Sequence, residues 1–179
     1  KMKKKIIITG GLGYIGTELC KLYSGVSWNN QIIIIDNRFI SERVNQIRNW
    51  NMQFVHGDIL DKELVKKYCK DADVVHHLAG ITDVPRTKSE SSVEKDKKIK
   101  LVAEEGTQNI LDAISDKCKI IFPSTHVVYE GIEKIEKNII EDEELKPVLS
   151  YSFSKAANEK QLKNSGKNYI ILRLGSVYG

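Results

Sequence analysis

Apolar residues along this chain gather in short β-branched runs, separated by longer stretches of mixed polarity. The runs predict six strands, at residues 5–9, 31–36, 53–56, 74–78, 119–123 and 169–173. A run such as Ile32-Ile33-Ile34-Ile35 has no polar residue in alternation, so both faces of its strand must be covered. That pattern belongs to a parallel sheet lying between two helical layers. Ile99, Val102, Ala103, Gly106, Ile110, Ala113 and Ile114 recur at spacings of three and four, which sets them on one stripe of a helix. Asp61 is placed to cap a further helix through Leu64, Val65 and Tyr68. A helix over residues 14–22 would carry Ile15, Leu19 and Leu22 on one face. Strands alternating with helices predict an α/β fold, a doubly wound parallel sheet forming one domain over residues 1–179.

The first predicted strand runs directly into Thr9-Gly10-Gly11-Leu12-Gly13-Tyr14-Ile15-Gly16. Gly11, Gly13 and Gly16 satisfy GxGxxG, and Gly10, Gly13 and Gly16 satisfy GxxGxxG. Glycine suits a strand that must turn sharply into a helix, let its backbone approach a pyrophosphate and pack close to the sheet. Phosphates would sit on the amides and the positive dipole end of the following helix. Such a motif gains meaning from context: a strand precedes it, a helix follows it, and Asp36 ends the next strand. A carboxylate there would accept bonds from an adenosine ribose and repel a 2′-phosphate, which favours NAD over NADP. Arg38 pulls the other way, because a guanidinium would hold that phosphate.

Tyr151 and Lys155 stand four residues apart, one helical turn from each other. A cation beside a phenol stabilises the phenolate, so Tyr151 is expected to be drawn down toward a useful base. Pro123-Ser124-Thr125 lies at the carboxyl end of the fifth strand, the edge where open parallel sheets bind ligands. A hydroxyl there would hold the reacting oxygen of a substrate.

These motifs, taken in order, resemble the extended short-chain dehydrogenase/reductases, the NAD-dependent epimerase/dehydratase group that acts on nucleotide sugars. The resemblance covers residues 5–179. Its remaining motifs are Asp36-Asn37, Gly57-Asp58-Ile59, His77-Leu78-Ala79-Gly80, Val128-Tyr129 and Arg173-Leu174-Gly175-Ser176-Val177-Tyr178-Gly179. It implies a Rossmann fold that binds NAD, with NADP second. Gly10, Gly13, Tyr14, Ile15 and Gly16 would hold the pyrophosphate. Asp36 and Asn37 would bind the adenosine ribose, with Arg38 beside them. Asp58 would hydrogen-bond adenine and Ile59 would pack on it, while Leu78, Ala79 and Gly80 would line the cofactor path. Lys155 would bind the nicotinamide ribose, Tyr151 would be the general acid/base and Thr125 would assist it, with Ser124 as the fallback.

The same comparison implies departures. Family members that dehydrate sugars carry an Asp-Glu pair where this chain has His126 and Val127, so 4,6-dehydration is disfavoured and an epimerase-type reaction expected. His126 is expected to fill space behind the site. Glu130 replaces a usual Gly, and Ala103 a usual Asn. In the family a sugar-gripping lobe follows the sixth strand, and it is missing from these residues. They would be part of a longer enzyme or a bare domain, the alternative being a non-catalytic NAD(P)-binding sensor or scaffold. Lys1 ahead of Met2 suggests a start that is not native.

Composition narrows the remaining classes. The sum of 28 basic and 24 acidic residues gives +4, but the lysines are spread without aromatic interleaving, so no nucleic-acid surface is expected. The Lys95 to Lys100 cluster reads as a solvated helix face, and residues 130–144 as an acid-rich loop. No apolar run reaches membrane-span length, and the apolar stretch after Lys3-Lys4-Lys5 is too short for a signal peptide. Cys20, Cys69 and Cys118 are odd in number and lack metal-ligand spacing, which predicts buried thiols in a cytoplasmic protein and no metal site. A homodimer is a further expectation, for which the stripe from Ile99 to Ile114 offers either a pairing surface or a core face.

Overall fold

A computed structural model of the chain describes residues 3–82, 87–133 and 138–178. Lys1, Met2, Gly179 and the middle of the acid-rich stretch lie outside the described residues. Six parallel strands form one sheet: β1 Lys5–Thr9, β2 Gln31–Asp36, β3 Gln53–His56, β4 Val74–His77, β5 Lys119–Thr125 and β6 Asn168–Leu174. Their order is β3-β2-β1-β4-β5-β6, the Rossmann arrangement, in which the winding reverses between β1 and β4. Among the described residues five α-helices flank it: α1 Tyr14–Ser24, α2 Ser41–Asn49, α3 Lys62–Cys69, α4 Val93–Ala113 and α5 Ser150–Asn164.

The unbroken isoleucine run in β2 is explained by two cores. Ile33 and Ile35 join Ile7, Val75, Ile120 and Phe122 on one face, under residues of α3, α4 and α5. Ile32 and Ile34 join Ile6 and Ile8 on the other, under α1 and α2. Asp61 caps α3 as expected, its carboxylate accepting the Leu64 amide at 3.0 Å. The three cysteines are free and buried. Burial pushes the Cys20 and Cys69 thiols up to about 12 and Cys118 to about 11.

Burial settles which faces of two helices meet the sheet. Leu22 is 79% exposed and Ile15 is exposed too, whereas Gly16 and Cys20 are the buried residues of α1. Gly16 decides this, because a Cβ on it would lie 2.5 Å from the Gly10 carbonyl oxygen. The glycine's close approach therefore fixes the rotation of α1, and the apolar spacing does not. The α4 stripe faces inward: Ile99, Gly106, Ile110 and Ile114 are buried, so it is a core face and no pairing surface. Lys95, Lys97, Lys98 and Lys100 lie exposed on the same helix, a solvated face as read. Among the described residues no helix is long and apolar enough to cross a membrane.

β5 runs two residues beyond its expected end, through a proline. The pairing of β4 with β5 has ended at Ile121, so Pro123 pairs only with Leu172 of β6. Its missing N–H breaks no ladder there, and its carbonyl is left for another donor. Ile110 is fully buried beneath the sheet. Ile110→Ala is expected to lower unfolding free energy by about 3 kcal/mol, measured by urea denaturation.

Candidate active site

The carboxyl edge of the sheet gathers the expected residues from four segments. Gly10, just after β1, adopts φ +69°, and a Cβ on it would lie 2.7 Å from the Ala79 amide nitrogen. Only glycine fits that turn. Gly13 forms the N-cap of α1 without a side-chain cap, and the first turn holds no acidic residue. The positive end of α1 is therefore not neutralised by a carboxylate of its own helix. A Cβ on Gly11 would meet Ile34 Cγ2 at 2.5 Å, so Gly10, Gly11 and Gly16 are each held by close contacts, whereas at Gly13 the nearest atom would be the Gly10 carbonyl oxygen at 3.1 Å. Tyr14 and Ile15 lie exposed at this helix start.

Asp36 is buried at the end of β2, and its carboxylate accepts the Leu12 amide at 2.9 Å and the Arg38 amide at 3.0 Å. The Arg38 guanidinium folds back over the same carboxylate, 3.3 Å from Oδ1 and 3.4 Å from Oδ2. Arg43 of α2 hydrogen-bonds the Leu12 carbonyl, a contact that no local motif foretells. Next to them, Asn37 donates to Asp58 at 2.9 Å, and His56 lies 3.0 Å from the Asn37 carbonyl. Ile59 is buried, with its side chain against Gly106 of α4. Leu78 and Ala79 are partly buried and Gly80 is exposed along the end of β4, with the Ala79 amide donating to Thr9 Oγ1 at 3.2 Å.

Further along this edge, Lys155 of α5 donates to the Pro123 carbonyl at 2.9 Å. Its ammonium lies 4.5 Å from the Phe122 ring centre and 5.8 Å from that of Tyr151. Burial brings its pKa down to about 8. The expectation for Tyr151 is reversed, because burial raises its pKa. Desolvation of the phenolate outweighs an ammonium that is bonded to Pro123 and faces the ring. Thr125 is buried, and its hydroxyl oxygen accepts the Val127 amide at 3.3 Å. Ser124 instead donates to Glu159 at 2.7 Å, inside a bidentate Glu159–Arg173 pair with contacts of 2.9 and 2.7 Å. The two adjacent hydroxyls are thus distinguished: Ser124 belongs to a buried ion-pair network. His126 does not fill space behind the site; it is exposed, with Nδ1 3.2 Å from the Leu174 carbonyl.

Beneath the lysine runs a buried polar chain that sequence reasoning missed. Thr9 Oγ1 and Thr107 Oγ1 each lie 2.9 Å from a ring nitrogen of His77, and Asn158 of α5 donates to Thr107 at 3.0 Å. Burial, aided by Lys155, pulls the His77 pKa down to about 3, so the imidazole is neutral. The chain connects the glycine turn to the helix bearing Tyr151 through hydrogen bonds that carry no net charge.

The lysine gives a pH test. Unfolded, the amine keeps its proton up to its ordinary 10.5; folded, it releases it near 8. Between those values the unfolded chain holds the extra proton, so this residue's contribution to stability rises with pH. Below them, both states are charged and the burial cost is present in full. The unfolding free energy of the protein relative to Lys155→Met is expected to rise by about 2 kcal/mol from about pH 7.5 to about pH 9.5. A difference independent of pH in paired urea titrations would mean that the ammonium is not desolvated.

Known proteins share this arrangement. Residues 6–179 match the NAD dependent epimerase/dehydratase family. A putative UDP-glucose 4-epimerase of Methanocaldococcus jannaschii is 35% identical over 182 residues, 97% of this chain and 56% of that protein. A dTDP-D-glucose 4,6-dehydratase of Dictyostelium discoideum is 29% identical over 197 residues, 98% of this chain and 44% of its own length. The chain thus spans about half the length of these relatives. The crystal structure of a UDP-glucuronic acid 4-epimerase from Bacillus cereus in complex with NAD superposes with a TM-score of 0.78 at 28% identity, covering 98% of this chain and 57% of that one. With the family matched from β1 to the last residue, on a six-stranded sheet of this order, the chain belongs to the NAD dependent epimerase/dehydratase family.

Proposed function

We propose that these residues form the cofactor-binding half of an NAD-dependent enzyme acting on a nucleotide sugar, by an epimerase-type reaction. The observation that carries the reading is the meeting, at one sheet edge, of the glycine cradle with Thr125, Tyr151 and Lys155. The close backbone approaches at Gly10 and Gly16 make the tight turn that lets α1 begin at the sheet edge, where its end would offer positive charge to a dinucleotide's phosphates. Asp36 stands where a ribose would meet it, and NAD is favoured over NADP because a buried carboxylate repels a 2′-phosphate. Arg38, paired with that carboxylate, is in no position to receive a phosphate without leaving it. NAD, when bound, supplies the hydride acceptor.

The chain's own residues handle the proton. Burial raises the pKa of the Tyr151 phenol, so its own proton must first leave for solvent. The phenolate then takes the proton of a sugar hydroxyl as hydride passes from that carbon to NAD, and returns it when the keto sugar is reduced from its other face. Thr125 holds the reacting oxygen in place. Lys155, anchored on Pro123, binds the nicotinamide ribose and lowers the cost of the phenolate. Water elimination is not assigned, because Val127 carries no group that could remove a second proton.

Tyr151→Phe in the full-length protein is expected to keep NAD affinity within about twofold and to lower turnover by about a thousandfold. UDP-glucose, UDP-glucuronic acid and dTDP-glucose serve as probes, with sugar products separated by chromatography. Unchanged turnover would remove the mechanism, and NAD binding without turnover of any probe by the unmodified protein would favour a sensor.

A further inference from the structure

Glu130 stands early in the connection between Thr125 and the helix of Tyr151, and its contacts reach the start of that helix. The 3-10 helix His126–Tyr129 follows β5 directly, so Glu130 lies five residues beyond Thr125. Its Oε1 accepts the main-chain amides of Val148 at 2.7 Å and Leu149 at 2.8 Å, and the Ser152 hydroxyl bonds to it as well. Leu149 is the N-cap of α5, so one carboxylate oxygen collects the donors around the helix's first turn. Tyr151 lies within that turn, between Ser150 and Ser152.

The neighbouring main chain reinforces the contact. The Gly131 amide donates to the Lys146 carbonyl at 2.8 Å, and the Lys146 amide donates to the Val128 carbonyl at 2.8 Å. A Cβ on Gly131 would lie 2.6 Å from that carbonyl oxygen, so the close approach depends on glycine. Residues 146–149 are thereby fastened along residues 128–131, and Glu130 shares the Val148 and Leu149 amides with the Ser152 hydroxyl, which lies 3.2 and 3.1 Å from them. Asp96 of α4 reaches the same helix end, but only through the Ser150 hydroxyl. It holds no amide of the segment. The hydrogen bonds Glu130 accepts pull its pKa below the ordinary value even though its partial desolvation works against them, so the acceptor is ionised at neutral pH.

We infer that Glu130 is a positioning residue: by holding the first turn of α5 against the end of β5, it sets the phenol of Tyr151 relative to the hydroxyl of Thr125. The inference rests on the functional reading above. Proton transfer is sensitive to displacements of about an ångström, whereas affinity spread over the glycine turn and Asp36 is not. A loosened α5 start should therefore lower kcat and leave binding alone.

Glu130→Ala removes the acceptor, Glu130→Asp withdraws it by one methylene, and Glu130→Gln keeps an oxygen at the same reach. In the full-length protein, with UDP-glucose and UDP-glucuronic acid as probes, the Ala and Asp variants are expected to lower kcat by about tenfold. KM and the NAD dissociation constant should stay within about threefold, and the Gln variant should keep kcat within about threefold. Should the Ala variant not fold, the Asp variant carries the same expectation. The inference is overturned if the Ala and Asp variants turn over at the unmodified rate. It also fails if they lose NAD affinity in proportion to kcat, or if Gln is as slow as Ala, which would make charge and not reach the cause. Turnover that survives Tyr151→Phe would overturn the functional reading itself.

Discussion

The approach of Gly10 to the end of β4 is the contact on which the rest of the site depends. A side chain at Gly10 would overlap the Ala79 backbone, and one at Gly16 would overlap Gly10 and Gly11. Two absent Cβ atoms therefore let α1 start immediately after β1 and settle close against the turn. From this follow the exposed, uncapped end of α1, the hydrogen bond that ties Leu12 to Asp36, and the direction in which α1 buries its residues. The turn lies beside the point where the winding of the sheet reverses, so its opening is the crevice in which such sheets bind nucleotides.

A second constraint shapes the other half of the edge. Pro123 cannot donate to a strand, and its position beyond the last β4 pair leaves its carbonyl for Lys155. The ammonium is thus fixed by the main chain of β5, over Phe122, before any ligand arrives. Its depressed pKa and the raised one of Tyr151 share a cause, the dry surroundings of both groups. Neutral His77 and its hydrogen-bonded partners support the lysine from below without adding a competing charge. The Glu159–Arg173 pair takes up the Ser124 hydroxyl, leaving Thr125 outside that network.

Much of this was legible in the residue pattern. The strands appear at their expected places because buried parallel strands are long-range demands that show as local β-branched runs. The glycine turn, Asp36 and the Tyr151–Lys155 spacing are local as well, and their places at one edge follow from the topology. The face of α1 was not legible, because glycine packing overrode apolar spacing at Leu22. Ile59 turned inward because Gly106, distant in sequence, opened a space for it. The shift at Tyr151 depended on desolvation, which spacing does not encode. Glu130 read as a mere substitution, since its partners, Val148 and Leu149, are distant in sequence and engage through amides common to every residue.

The central claim is that this edge binds NAD, with the carboxylate of Asp36 directed at the ribose. Calorimetric titration of the protein with NAD and with NADP tests it most directly. The account predicts saturable binding of NAD, with NADP weaker by about tenfold or more through repulsion of its 2′-phosphate. Tighter binding of NADP would contradict it, since Arg38 would then have to release Asp36 and take the phosphate. Binding of neither would leave the glycine turn a packing device alone.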